Sequence, residues 1–137
     1  RSVNNSIPKH IANRVLKLMI QKDHKIKGAN VLILGITFKE NCPDMRNTKV
    51  VDIYNELKEF GVNVDIYDPW ANPEEVKHEY GIVVLSQIDN SKKYQGIVVA
   101  VAHDQFKKFD FKKYKESGTV IYDAKSFVDR QFIDDRL

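Results

Sequence analysis

The sequence has 137 residues, 42% hydrophobic and 30% charged, with a formal net charge of +3, which is the length and balance of one ordinary domain with a real core. No apolar run approaches the ~20 residues that span a bilayer, and no basic-then-apolar signal segment stands at the start. The single Cys42 leaves no internal disulfide and no thiolate metal cluster, which fits a reducing, cytoplasmic compartment.

Residues 7–22 are predicted helical. Ile11, Val15, Leu18 and Met19 form one stripe of a 3.6-residue period. Pro8 suits a first turn, with Ser6 a nearby cap. "KDHKIKGAN" then breaks the pattern. A boundary near residues 23–29 sets off residues 1–27 as a connector helix, attached to the domain of residues 28–137 rather than part of its sheet layer. "NVLILG" (30–35) is a continuous apolar run, as a strand buried on both faces requires. Residues 49–60 carry Val50, Val51, Tyr54, Leu57 and Phe60 at helical spacing, with Thr48 as N-cap and Gly61 as terminator. "VNVDIYDP" (62–69) is the next strand, and "NPEEVKHEY" a short helix with acidic residues in its first turn. Further strands are predicted at 82–85, 96–102 and 118–124, and the final "FVDRQFIDDRL" is helical or irregular. Strands separated by helical segments give an α/β fold: a Rossmann-like parallel sheet with helices on both faces, preceded by the connector helix.

The "KKFDFKKYK" run at 107–115 mixes lysines with aromatics. A nucleic-acid surface would look like this, but no nucleic-acid motif accompanies it. The reading adopted is a solvated face with its aromatics turned inward, and no nucleic acid or membrane as partner.

Ligands of open parallel sheets bind beyond the carboxyl ends of the strands. Four edges qualify: Gly35 to Thr48, Asp68-Pro69-Trp70, His103-Asp104 and Asp123-Ala124-Lys125. At the first edge a dinucleotide fingerprint opening at Gly35 requires glycine at positions 37 and 40, which are Thr37 and Glu40. The Walker pattern is missing too, so NAD binding by this domain alone is not expected. Side-chain recognition remains: Lys39 is a compact cation, Arg46 a planar fork, and Asp44 could orient it. The same residues also suit a solvated loop with an incidental ion pair. Cys42 has no histidine near it in sequence and is read as inert. His10, His24, His78 and His103 show no metal-ligand spacing. His103-Asp104, at a strand end, suits a catalytic pair or, as is commoner for such a pair, a turn capping the next segment.

"GITFKENCPDMRNTKVVDI" resembles the C-terminal UDP-binding domain of the UDP-glucose/GDP-mannose dehydrogenases. The family motif is a Phe-Lys pair with Asp and Arg five and seven residues after the lysine, here Phe38-Lys39, Asp44 and Arg46. The similarity continues through "GVNVDIYDP", "IVVAVAHDQF" and "YDAKSFVD", and "RSVNNSIPKHIANRVLKLM" is similar to the end of the family's central helical domain. "NCPDMRNTKV" is most like the branch that oxidises UDP-N-acetylglucosamine or UDP-N-acetylgalactosamine to the uronic acid for polysaccharide synthesis.

The resemblance implies a UDP-sugar-binding domain of an NAD-dependent nucleotide-sugar 6-dehydrogenase. It implies Phe38, Lys39 and Lys125 as substrate contacts and Arg46 as a contact to NAD made only in the assembled enzyme. At Lys125 a point charge stands where many members carry an arginine fork. The family's NAD-binding and catalytic domains match no segment here, so no catalytic or metal-binding residue is assigned. The chain alone is expected to be inactive, with the rest of its own polypeptide as partner and the full enzyme a homo-oligomer. The rival readings are a stand-alone nucleotide-binding or regulatory α/β module, a flavodoxin-like receiver and a basic nucleic-acid domain. The receiver lacks its acidic cluster at Gly35-Ile36-Thr37.

Overall fold

A computed structural model describes residues 3–45 and 48–137. Its centre is a six-stranded sheet built from β1 (Asn30–Leu34), β2 (Asn63–Tyr67), β3 (Val84–Leu85), β4 (Gly96–Val99), β5 (Val120–Asp123) and β6 (Asp135–Arg136). The strand order is β3-β2-β1-β4-β5-β6, and every pairing is parallel. This is the doubly wound order, with its switch point between β1 and β4. The expected fold class is the observed one.

The continuous apolar runs follow from burial on both faces. In β1, Val31 and Ile33 join one core cluster, while Leu32 and Leu34 join the other. Val98 and Tyr122 share the first face, and Ile97, Val99 and Ile121 the second. Helices α1 (Val3–Gln21), α2 (Val50–Glu59) and α3 (Pro73–Tyr80) cover the first face with Val15, Met19, Ile53, Leu57 and Val76. The second is covered by α4 (Phe111–Glu116) and two 3-10 turns, Asp104–Lys108 and Arg130–Phe132. Phe106, Phe111 and Tyr114 are buried there, while Lys107, Lys108, Lys112 and Lys113 remain exposed. The basic-aromatic run is therefore a solvated face over an aromatic layer.

Three local expectations change. The first helix is not merely attached beside the sheet: Ile11, Ala12, Val15, Leu16 and Met19 are buried in the core shared with α2 and the strands. An apolar stripe of that width has to be covered, and the sheet face is what covers it. Pro8 lies inside α1 rather than in its first turn, because the helix already begins at Val3; Ser6 is thus a helical residue, not a cap. The carboxyl-terminal segment contributes a short edge strand. Asp134 fixes it by accepting the Ile121 N–H at 2.8 Å and pairing with Lys115 and Lys22.

The other helix ends are closer to expectation. The N-cap of α2 is Lys49, without a side-chain cap bond, not Thr48, whose Oγ1 accepts the Val50 N–H at 3.2 Å from one residue further out. Asn72 caps α3 by accepting the Glu74 and Glu75 N–H groups, and Gly81 ends that helix at φ 70°.

Candidate functional site

The chain leaves β1 through Gly35 at φ 100°. A Cβ added there would lie 2.5 Å from the Val101 Cβ, so only glycine lets the loop pass so close to the strand-end turn beside it. The loop then closes on itself, Phe38 N–H donating to the Asp44 carbonyl at 2.7 Å. Tyr80 O–H from α3 donates to the Met45 carbonyl at 3.2 Å.

The anchor of the loop is Asp68, buried just past the end of β2. Its Oδ2 accepts the N–H groups of Ile36 (2.7 Å) and Thr37 (3.1 Å). Its Oδ1 accepts those of Trp70 (2.7 Å) and Ala71 (3.2 Å). His103, fully buried beyond β4, places Nε2 at 3.0 Å from Asp68 Oδ2 and 3.1 Å from Thr37 Oγ1. Burial alone would raise the Asp68 pKa. The His103 hydrogen bond and the Ile36 N–H outweigh it and hold the carboxyl below its ordinary value. The ionised carboxylate is thus the form built into the fold.

The turn after β5 is organised by a second buried strand-end aspartate. Asp123 Oδ1 accepts the Lys125 N–H at 2.9 Å, and Oδ2 accepts those of Phe127 and Val128, both at 2.6 Å. Lys125 is left exposed at the head of the turn.

Between these two loops, against the switch point, lies a cleft of about 260 Å³. Thr37, Phe38, Lys49, Ala100, Ala124 and Lys125 are among its lining residues, with Ile11 and Ile53 in its apolar floor. Phe38 is 52% exposed although it is a large apolar ring, so it is available to a ligand rather than committed to the core. Phe38 and Lys125, singled out from sequence, are brought to one cleft. Lys39 follows Phe38, exposed on the same loop but not part of the cleft wall. Arg46 lies outside the described residues. Lys49 lines the cleft without having been singled out. Its place at the start of α2 gave a signal, since residues there face the carboxyl edge of a parallel sheet. His103 was read as a capping turn. It does stand at the N-cap position of the following 3-10 turn, but its side chain makes no cap bond and serves Asp68 and the β1 loop instead. Cys42 is a free, partly buried loop residue.

The β1 loop does not fit a dinucleotide cradle. The Ile36 and Thr37 N–H groups, the first that could face a pyrophosphate, already donate to Asp68. Among the described residues no group of three or more His, Cys, Asp or Glu is placed to hold a metal ion, and no helix is long and apolar enough to cross a membrane.

Comparison with known proteins agrees with this architecture. UDP-N-acetyl-D-glucosamine 6-dehydrogenases of Salmonella typhi and of Pseudomonas aeruginosa are each 41% identical to this chain over 140 residues, matching all of it and 33% of their own length. The chain therefore spans about a third of the curated relatives it matches. A solved NDP-N-acetyl-D-galactosaminuronic acid dehydrogenase from Methanosarcina mazei Go1 shares the fold with a TM-score of 0.80 at 22% identity, over 96% of this chain and 28% of that one. The family model of the UDP binding domain matches residues 32–130, from the middle of β1 to the turn beyond β5, and the chain belongs to the UDP-glucose/GDP-mannose dehydrogenase family as that domain.

Proposed function

We propose that this chain supplies the nucleotide-sugar half of the active cleft in an NAD-dependent 6-dehydrogenase that converts a UDP-N-acetylhexosamine to its uronic acid for polysaccharide synthesis. The observation that carries the reading is the meeting of Phe38 and Lys125, from two loops far apart in sequence, on one cleft at the switch point. Phe38 offers an exposed ring for the apolar faces of uracil or sugar. Lys125 and Lys49 set cations at the cleft wall, and Lys39 adds one on the adjoining loop, where they attract the diphosphate. Thr37, held by Asp68 and His103, anchors the loop at the edge of the cleft.

Oxidation at C6 needs a hydride acceptor, which NAD supplies when bound. The β1 loop of this chain cannot cradle that dinucleotide, so the NAD site and the catalytic groups belong to the rest of the polypeptide. Residues 1–27 join that part to the domain of residues 28–137, and Arg46 reaches toward NAD once the parts close together. The assembled enzyme is a cytoplasmic homo-oligomer on this reading. In the chain alone, the tasks left are binding, orientation and exclusion of water from one side of the sugar.

Calorimetry with UDP, UDP-N-acetylglucosamine and GDP-mannose tests the reading. Heat is expected with the two uridine ligands and much weaker binding with the guanosine ligand. Equal binding of all three, or of none, contradicts it. Mixing the chain with NAD and UDP-N-acetylglucosamine is expected to give no NADH.

A further inference from the structure

We propose that His103 is a positioning residue: seated on Asp68, it fixes the β1 loop through the Asn41 N–H and so sets where Phe38 and Lys39 stand. The inference rests on the reading of the cleft as a UDP-sugar site.

The direction of each hydrogen bond follows from groups that have no choice. A backbone N–H can only donate, and the Asn41 N–H points at His103 Nδ1 at 2.8 Å. Nδ1 therefore offers a lone pair, and Nε2 carries the proton that goes to Asp68 Oδ2, with Thr37 Oγ1 alongside. The Thr37 hydroxyl donates in turn to the Lys39 carbonyl at 3.1 Å. Asn41 sits at φ 54°, and its Oδ1 accepts the Asp104 N–H at 2.9 Å. The Phe38-Lys39 pair is thus pinned before it, at the lysine carbonyl and just after it. The last of those pins ends on the imidazole, and the Thr37 hydroxyl that holds the lysine carbonyl lies 3.1 Å from its Nε2.

These bonds tie the interior to the loop: one side of the ring holds the buried Asp68 carboxylate, the other the Asn41 N–H. The ring lies between Phe106, at 5.4 Å between centroids, and Trp70, at 6.3 Å. An apolar side chain could fill that seat, but it would leave the Asp68 carboxylate without its imidazole donor and the Asn41 N–H without an acceptor. What the imidazole adds is a link from the ends of β2 and β4 to a loop that contributes a half-exposed Phe38. A loop held from two strands presents its side chains in one geometry, which is what binding without an ordering cost requires.

Two substitutions separate the roles of the two nitrogens. In His103→Asn the amide oxygen falls near the Nδ1 position and retains the acceptor for Asn41; in His103→Gln the amide nitrogen falls near Nε2 and retains the donor to Asp68. Amide hydrogen exchange and a titration with UDP-N-acetylglucosamine followed by amide chemical shifts are measured on both, beside the core variant Ile121→Val. In His103→Gln the Asn41 amide is expected to exchange at least ten-fold faster, after correction for global stability measured at β5, and the ligand to bind roughly ten-fold more weakly. His103→Asn is expected to keep Asn41 protection and binding within about three-fold, as is Ile121→Val. Protection of Asn41 unchanged in His103→Gln, or affinity falling in all three variants only in step with stability, overturns the proposal. If the wild-type chain binds no uridine nucleotide, the functional reading fails by itself. Exchange at Asn41 still decides whether His103 positions the loop.

Discussion

The two loops that form the cleft are held in opposite ways. The turn after β5 is held from within, one carboxylate, Asp123, taking the N–H groups of three residues that follow it closely in sequence. The loop after β1 has internal bonds, Phe38 N–H to the Asp44 carbonyl and Thr37 Oγ1 to the Lys39 carbonyl, but its anchors come from outside, Asp68 at the end of β2 and His103 at the end of β4. A locally closed turn can place Lys125 with little help from the rest of the fold. The loop bearing Phe38 and Lys39 depends on the register of three neighbouring strands.

The largest effect is expected where the outside support is cut. Asp68→Ala leaves several N–H donors and a buried imidazole without their acceptor, and a loss of about 3–5 kcal/mol in denaturant unfolding is expected. A loss below about 1 kcal/mol would mean that the β1 loop is not held from β2. The effect carries a pH signature. The folded pKa of Asp68 lies below the ordinary 3.8, so its stabilisation is complete above that value and drains away as pH falls through the folded pKa. The gap in stability between wild type and Asp68→Asn should narrow on acidification below that ordinary value.

Gly35→Ala comes next. Its Cβ meets Val101 at a backbone conformation with φ 100°, and a cost of about 2–4 kcal/mol is expected from the change in unfolding midpoint. Asp123→Asn should cost somewhat less, about 1–3 kcal/mol, and the disturbance should stay local. Amide exchange is expected to rise over residues 125–128 and not in the β1 loop. Spread of the effect to residues 36–41 would erase the contrast between the two loops. The smallest stability change belongs to Phe38→Ala and Lys125→Ala, within about 0.5 kcal/mol because both side chains are exposed, while each should weaken UDP-N-acetylglucosamine binding by about ten-fold in an NMR titration.

The same contrast explains what could be read from sequence. The strands were legible because burial on both faces demands unbroken apolar runs such as "VLIL" and "IVV". Lys125 could be placed at a strand end from the apolar run before it, but its role as a contact came only through the family resemblance. Phe38 stood out through a motif, not through its contacts. His103 was not legible as a support, since the bonds that define it run to Asn41, Asp68 and Thr37, all more than 30 residues away. The packing of α1 was half visible: its stripe predicted burial, but nothing local said that the sheet would be what buries it. The 3-10 turn at Asp104–Lys108 and the edge strand β6 are too short for any periodicity to show.

The central claim is that the cleft between these two loops takes the UDP part of a nucleotide sugar. The most direct measurement is the map of amide chemical-shift changes as UDP is added to the chain to saturation. Shifts are predicted to cluster at Thr37, Phe38 and Lys39, at Ala100 and at Ala124 and Lys125. A map centred instead on the hollow lined by Phe109, Phe127 and Phe132, or no change at millimolar UDP, would contradict the account.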